Sequence, residues 1–419
     1  MTPLRHSHIA VIGGGVIGLA IAERLAAEGR EVTLIDPNPP GPTISQNAAS
    51  YGNAGTIADY AILPVGTPDV LRNLPSLLFD KNSPLAIRRA ALPALLPWLA
   101  RFALQSLPKA AERNARTIAA LMATATADWL DLGTRLGGGD ILKKRGCLYV
   151  YETAAAFRAA QKDMAFRRAL GVTVDLIDAS TLRQMEPALP EVEGGAAFFP
   201  KAVFLNDPGR MIGLLRAEVA TTAETRTARV ERLERQGDGI LLTGPDLHLK
   251  ARRVILAAGA HSRRLAAQAG DRVPLDTERG YHVEWDMAQP PVTRPTCPTT
   301  RGFYLCPMDG RLRVAGTVEL GGLTAPPSPH RIAKLIEGAR QIFPDLPTAP
   351  SRDWMGFRPS MPDSVPVIGP SRAGGEVIHA FGHGHLGVSL APVTARIVAD
   401  LIAGRPPHLD LAPLLPNRF

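Results

Sequence analysis

Apolar residues in this chain come in short runs, spaced by turns of those in buried strands and by turns of those in helices. The first run, residues 8–12, is short enough for a buried strand. Glycines follow at 13, 15 and 18, then a helix-period pattern over residues 16–27 that Gly29 stops. A second short run, 31–35, ends on Asp36. Strand, glycine turn, helix and strand form a βαβ unit with the G-x-G-x-x-G spacing in its proper place. In such a unit Gly13 permits the tight turn, Gly15 lets backbone approach a pyrophosphate, and Gly18 lets helix and strand pack closely. The helix start offers free N–H groups and a positive dipole end to phosphates. Asp36 is placed to accept both hydroxyls of an adenosine ribose, and an acid there disfavours the 2′-phosphate of NADP. The fingerprint alone leaves NAD and FAD open.

The pattern continues as alternating helices and strands. Beyond Asp36 a proline-rich loop leads to residues 45–55, small, polar and glycine-containing. This segment reads either as a surface loop or as a stretch running close along a cofactor. Residues 64–135 read as helical, and 114–136 as one long amphipathic helix ended by Gly137, Gly138 and Gly139. Strand, helix and strand follow over 147–177. A short helix over 180–187 leads to two strand-like runs and a helix over 211–221, capped at Asp207 and Pro208. Residues 226–260 read as strand, hairpin at Gly237 to Gly239, strand and strand, closing on small residues that suit a second backbone approach to a cofactor. Residues 272–320 alternate strongly and predict a mostly antiparallel sheet. A helix over 330–343 precedes a Pro- and Gly-rich loop over 354–371. The chain then reads as strand, glycine-rich turn and helix. The predicted fold is α/β, a Rossmann-type nucleotide-binding domain (1–60, 180–270 and 352–419) interrupted by a second domain of mostly antiparallel sheet and helices (61–179 and 271–351).

Composition narrows the function classes. A chain of 419 residues, 45% apolar and 21% charged, has the make-up of an ordinary globular protein with room for two domains. Its three cysteines form no C-x-x-C pair, which points away from a disulfide framework and towards a reducing compartment. His383 and His385 form an H-x-H without a third ligand cluster, so no metal is expected. The first strand begins at residue 8, so no signal peptide and a cytoplasmic location are expected. The net charge of +8 is scattered arginine rather than a block, which disfavours nucleic acid and suits anionic substrates or a membrane face. No stretch reads as a transmembrane helix. The nearest, 85–107, is broken by Pro93 and Pro97 and carries Arg88, Arg89 and Arg101. It reads as helices packed on the domain, with peripheral contact on the inner membrane face as the alternative.

Six segments in order, VIGGGVIGLAIA, SYGNAG, VILAAGAHS, ERGYH, GFRPSMPDSVPVIG and FGHGHLG, resemble the D-amino-acid oxidase superfamily of FAD flavoproteins across nearly the whole chain. Within it the resemblance is to the bacterial D-amino acid dehydrogenase branch. ERGYH, WMGFRPSMPDSVPVIG and FGHGHLGVSLAP look most like its D-hydroxyproline dehydrogenase members.

The resemblance implies FAD rather than NAD. It implies Gly13, Gly15, Val16 and Ile17 at the pyrophosphate, and Asp36, where the family usually has Glu, at the ribose. Ser45, Gln46, Ser50, Tyr51, Gly52, Asn53, Ala54 and Gly55 would line the ribityl chain and the ring. Val230 would meet the adenine, Ala258 and Gly259 the phosphates, and Gly356 would lie beside the flavin. Gly382, Gly384, His385, Leu386, Gly387 and Val388 would sit at the pyrimidine edge, where the helix start stabilises negative charge on the reduced ring.

On the substrate side the resemblance makes Arg358 the bidentate carboxylate anchor and Tyr304 a second carboxylate contact. His385 would face the substrate, Tyr281 and His282 would wall the pocket, and Tyr51 is a further candidate. The activity implied is oxidation of a D-amino acid to its imino acid by hydride transfer to flavin. The best substrate guess is cis-4-hydroxy-D-proline or D-proline, and the acceptor a quinone or the respiratory chain. A sarcosine or glycine oxidase, an N-methyl amine demethylase and a non-catalytic flavin-binding subunit are the alternatives. No general base is assigned, because an amine that has already lost its proton needs none.

Overall fold

The computed structural model describes residues 4–38, 48–73 and 85–419. Ser45 and Gln46 lie outside the described residues. The runs at 8–12, 31–35 and 254–256 fold into the centre of an eight-stranded sheet. Its order is Glu224–Thr227, Val32–Asp36, Arg5–Ile12, Leu247–Leu256, Gly239–Gly244, Arg232–Gln236, with Gly374–Phe381 paired to the end of Leu247–Leu256 and Val367–Ser371 paired to Gly374–Phe381. The central strands are parallel and buried on both faces, which is why they read as continuous rather than alternating apolar runs. The helices Val16–Ala27, Pro208–Thr222 and Gly387–Ala403 share one core with this sheet. The register sets Ile12 beside Ile35 and Leu256, and Leu256 beside His379, so these strands end together. Gly13, Asp36, Ala257 and Gly382 therefore gather at one carboxyl edge, the place where open α/β sheets bind ligands.

The alternating segments build a nine-stranded sheet. Its order is Arg352–Ser360, Asp276–Asp286, Arg311–Leu320, Phe303–Met308, Thr296–Pro298, Cys147–Tyr151, Gly195–Phe199, Asp175–Asp178, with Leu85–Ile87 paired to Arg311–Leu320. Two pieces expected in the nucleotide-binding domain, Gly195–Phe199 and Arg352–Ser360, belong to this sheet instead. The Pro- and Gly-rich "loop" over 354–371 is two strands, Arg352–Ser360 and Val367–Ser371. Pro359 is tolerated because its strand lies at the sheet edge, where a missing N–H costs no ladder bond.

The helix expected over 114–136 is two helices, Pro108–Met122 and Ala125–Arg135. The break is held by Thr124, whose hydroxyl donates to Asp128 at 2.8 Å and accepts from Arg396 at 2.7 Å. The second helix then crosses the C-terminal helix, and Trp129 Nε1 donates to the Val388 carbonyl at 2.7 Å. Among the described residues one helix, Gly384–Ala403, is by length and composition apolar enough to cross a membrane, where the sequence reading expected none. Its apolar face packs on Val16–Ala27 in the core.

Candidate active site

A cavity of ≈1640 Å³ runs from the carboxyl edge of the first sheet to the face of the second. That exceeds the roughly 300–1,000 Å³ of a small-ligand pocket, and suits an extended dinucleotide with a substrate beside it.

At one end the lining is Gly13, Gly15, Val16, Ile17, Asp36, Val230, Ala258 and Gly259. Gly13 sits at φ 110°, and a Cβ there would meet the Ala257 carbonyl oxygen at 2.4 Å. A Cβ on Gly18 would lie 1.8 Å from the Gly13 carbonyl oxygen, whereas the nearest atom to one on Gly15 is 3.8 Å away. The turn is thus closed beneath and open above. Ser50 Oγ accepts from the Val16 N–H at 3.2 Å and ties the helix start to the 48–56 segment. Asp36 is fixed by donors on both oxygens, the Gly14 N–H at 2.6 Å and the Asn38 N–H at 2.9 Å. Oδ1 takes a second donor, Asn38 Nδ2 at 2.7 Å, so it is Oδ2 that keeps a lone pair for a diol. Thr56 and Thr277 line the same cavity and bury hydroxyls that have no protein partner among the described residues. Glycines where a Cβ would collide, an open helix start, a fixed acid and orphaned hydroxyls fit a long phosphate-bearing ligand.

Midway, Ser50, Gly52, Asn53, Ala54 and Thr56 line the cavity. Gly55 does not; at φ 76° its α-carbon faces the Leu205 carbonyl. Tyr51 turns away and packs against Trp354, with ring centroids 6.3 Å apart. The loop is held from the second sheet. Arg313 Nη1 donates to the carbonyls of Tyr51 (3.2 Å) and Asn53 (2.6 Å), and His282 Nδ1 to that of Gly52 (3.2 Å). Glu284 fixes Arg313 at 2.7 Å and also takes Arg311 and Arg352. Burial pushes the Glu284 carboxyl up, but Arg313 and its neighbours outweigh this and hold it at about 2. His282 is pulled down to about 3 by burial and by Arg313, so it is neutral. Its place is behind the loop, stacked on Trp354, rather than in the pocket wall. Tyr281 is also off the cavity: its hydroxyl donates to Glu319 at 2.7 Å and accepts from the Ser328 N–H at 3.1 Å. Trp354 does line the cavity, and glycines at 52 and 356 make room for its ring.

The C-terminal turn contributes Gly384, His385, Leu386, Gly387 and Val388. Gly382 does not line the cavity; its φ of 84° makes the turn, and its α-carbon abuts Met361. His383 takes its place, hydrogen-bonded through Nε2 to Thr394 at 3.0 Å. Burial lowers His383 to about 3, and burial with the Arg358 charge lowers His385 to about 4. The surface that His385 exposes lies along the cavity, which is how it is accessible yet poorly solvated.

Arg358 stands at the far end, in the middle of the Arg352–Ser360 edge strand, with Gly356 two residues before it also lining the cavity. Its Nη1 donates to the Thr317 carbonyl at 3.1 Å. Among the described residues it forms no ion pair. Gly280, across the ladder, leaves room for the guanidinium, since a Cβ there would lie 2.4 Å from Cζ. Thr317 adopts φ 57°, costly for a β-branched residue, and this turns its carbonyl to the arginine. Burial lowers the Arg358 pKa, opposed by Glu278, and a guanidinium remains charged through such a shift. Tyr304 lines the same cavity with its hydroxyl 2.8 Å from that of Tyr149, and Tyr60 lines the wall with them. Burial raises all three phenols, so they are neutral hydroxyls.

Tyr60, Tyr149, Glu278, Thr317 and Trp354 escaped the sequence reading. Glu278 and Trp354 left a signal: each opens a segment that the resemblance marked, ERGYH and WMGFRPSMPDSVPVIG, and in a strand each shares a face with the glycine two residues on. Among the described residues no group of three His, Cys, Asp or Glu is placed to hold a metal.

The family model described as DAO, FAD dependent oxidoreductase, matches residues 8–401. The D-amino-acid oxidase of Bradyrhizobium diazoefficiens is 34% identical, covering 98% of this chain and 99% of that protein. The D-amino acid dehydrogenase 2 of Ralstonia nicotianae is 31% identical, covering 97% and 98%. Glycine oxidase from Geobacillus kaustophilus has the same fold, with a TM-score of 0.75 and 24% identity over 99% of both chains. The chain belongs to the DAO family of FAD-dependent oxidoreductases, and FAD is its cofactor.

Proposed function

We propose that the protein is an FAD-dependent D-amino acid dehydrogenase whose substrate is a cyclic imino acid, cis-4-hydroxy-D-proline or D-proline. Gly13, Gly15, Val16 and Ile17 hold the pyrophosphate, Asp36 the ribose, Val230 the adenine, and Ala258 and Gly259 flank the phosphates. Ser50, Gly52, Asn53 and Ala54, with the turn from Gly384 to Val388, hold the isoalloxazine end. FAD supplies the hydride acceptor. The protein's part is to bind the carboxylate, orient Cα and exclude water.

The observation that carries the reading is Arg358: a guanidinium facing the cavity, aimed by a backbone carbonyl and without an ion pair among the described residues. A charged group is left unmatched in an enclosed site only at a cost that a carboxylate ligand repays. Tyr304 supplies a neutral hydroxyl to the same carboxylate. Removing Arg358 should cost on the order of 3 kcal/mol of substrate binding, about a hundredfold in KM, with FAD retained. An Arg358→Ala variant with unchanged KM and kcat would refute the assignment.

The acceptor is a quinone of the respiratory chain, reached from a cytoplasmic position. Support comes from the helix Leu92–Gln105, where Leu96 and Leu104 are 60% and 63% exposed beside exposed Arg101. Apolar side chains rimmed by cations suit a peripheral seat on an anionic membrane. One relative carries the name oxidase and another dehydrogenase, so oxygen is the second reading for the acceptor.

The test is anaerobic mixing of the yellow protein with D-proline, cis-4-hydroxy-D-proline, their L forms, sarcosine and acyclic D-amino acids, following flavin absorbance. Bleaching by the D-imino acids alone is expected. Bleaching by sarcosine or glycine alone would overturn the substrate assignment. Reoxidation by a soluble quinone faster than by oxygen would support the acceptor, and the reverse would make the protein an oxidase.

A further inference from the structure

Glu278 is the one carboxylate on the cavity wall beside Arg358 that no role so far accounts for. It lies in the Asp276–Asp286 strand, directly across the ladder from Arg358, and both side chains line the cavity. Residues opposite each other in an antiparallel pair project to the same face. Glu278 is only 3% exposed, yet it does not close an ion pair with its neighbour. One oxygen, Oε1, accepts from Ser360 Oγ at 2.6 Å. Among the described residues the other oxygen has no protein partner, and the cavity is where it is open. The surroundings do not neutralise it by other means. His385, facing from the C-terminal turn, is neutral. Arg279 and Glu319 point to the other face of the sheet and pair with each other at 3.0 Å. Asp276, at the strand start, has Arg263 at 3.9 Å.

We propose that Glu278 is a second substrate-binding group: while Arg358 holds the carboxylate, the free oxygen of Glu278 receives the cationic amine of the amino acid and takes its proton. This rests on the reading of Arg358 as carboxylate anchor. A site with Arg358 alone would suit any carboxylate. Arg358 with an unpaired acid beside it is charge-complementary to a zwitterion. For a ligand that is only a carboxylate, Glu278 is a repulsive neighbour, which gives selectivity by penalty as well as by attraction. The proton step balances without a further reagent: one N–H bond breaks, one O–H bond forms on Glu278, and the opposite charges on both groups vanish. The neutral amine that results is the form from which a hydride can leave Cα. Burial raises the Glu278 carboxyl, which narrows the gap between it and the amine it deprotonates.

The test uses the FAD-loaded protein and Glu278→Gln, which keeps the shape and the acceptor for Ser360. Two ligands are compared: D-proline, or whichever D-amino acid bleaches the flavin, and pyrrole-2-carboxylate, which has the carboxylate but no basic nitrogen. The first is followed by anaerobic bleaching between pH 5.5 and 9, the second by its flavin difference spectrum. We expect Glu278→Gln to weaken the amino acid at least tenfold and to move the acid limb of its pH profile upward, because the neutral amine must then come from solution. Pyrrole-2-carboxylate should bind equally well or several-fold more tightly. Glu278→Asp, which keeps the charge but withdraws it, should fall between. Equal losses for both ligands, or none for either, would overturn the proposal. A loss confined to D-lysine or D-arginine would overturn it too, moving Glu278 from the α-amine to a side-chain cation. Arg358→Ala separates the two failures. If it abolishes pyrrole-2-carboxylate binding while Glu278→Gln leaves amino acid binding unchanged, only the role of Glu278 falls. If pyrrole-2-carboxylate still binds Arg358→Ala, the anchor reading falls and takes this proposal with it.

Discussion

The two ends of the cavity are built from different materials. The end proposed for adenosine centres on one contiguous stretch, residues 8–36, joined by Val230, Ala258 and Gly259, and works through backbone: a turn that only glycine can make, a helix start, one fixed acid. The substrate end draws Tyr60, Tyr149, Glu278, Tyr304, Thr317, Arg358 and His385 from separate segments, and works through side chains whose charges are set by burial and neighbours. The first end is rigid because there is no space to move into. The second is rigid only so far as buried arginines hold its loops. The two should therefore fail in different ways.

The largest failure should come from the backbone end. At Gly18 any side chain meets the Gly13 carbonyl, and Gly13 cannot yield because the Ala257 carbonyl abuts its α-carbon. Overpacking a core costs roughly 1–3 kcal/mol where side chains can yield, and here the obstacle is backbone. Gly18→Val should purify without FAD and with its melting temperature lowered by ten degrees or more. A yellow variant with full flavin content would mean that the close packing read from the G-x-G-x-x-G turn is not what the turn requires.

The same contrast explains what the sequence made readable. Contiguous features were legible: the βαβ unit, its three glycines, Asp36 and the terminal strand–turn–helix all follow from spacing within thirty or so residues. Features that depend on register between distant strands were not. Tyr281 and His282 sit in a motif with Gly280, so they looked like pocket residues, but strand alternation and a ladder irregularity at Gly280 send them elsewhere. Tyr281 goes to Glu319, His282 to the back of the flavin loop. That Arg358 lines the cavity was legible through its motif. Its aiming carbonyl on Thr317 was not, because a positive φ at a threonine has no local sequence signature. The Arg352–Ser360 strand was hidden by Pro359 and two glycines nearby, whose meaning changes once the strand is known to be an edge.

A smaller failure, and one confined to the substrate end, should follow from loosening a loop held by a buried arginine. Arg279 is fully buried and donates to the carbonyls of Gly322 (3.1 Å), Ala325 and Pro326 (3.0 Å) as well as to Glu319. Arg88 reaches the same Glu319 at 3.0 Å and the Pro326 carbonyl at 2.6 Å. The loop they hold carries Gly322 and Leu323 into the cavity. Arg279→Met leaves several carbonyls without their donor and should cost about 3 kcal/mol of stability. KM should rise several-fold while the FAD dissociation constant stays put. Equal losses in FAD and substrate binding would show that the two ends are one cooperative unit, and the contrast would fail.

The most graded test is acid. His282 and His383 are each about 1% exposed and sit at the flavin and substrate end, the first behind the 51–53 loop and the second in the C-terminal turn. Both have pKa values lowered from 6.5 to about 3 by burial. The unfolded chain therefore binds protons that the folded chain refuses, and unfolding free energy rises with pH across this window. Their neutral burial costs nothing above about pH 6.5, and stability is lost as the pH falls from there towards 3. At pH 5 the loss is on the order of 2 kcal/mol for each imidazole, at about 1.4 kcal/mol per unit. Melting temperature should be flat between pH 7 and 8 and several degrees lower at pH 5. His282→Phe, which keeps the ring on Trp354 and cannot titrate, should make that decline shallower even though it gives up the bond to Gly52. Acid should also open the 48–56 segment to protease before the first strands lose protection, because His282, one of the two groups that titrate, holds that loop at Gly52. A melting temperature independent of pH down to 5 would mean that water reaches both imidazoles, and that this end of the cavity is less closed than its burial implies.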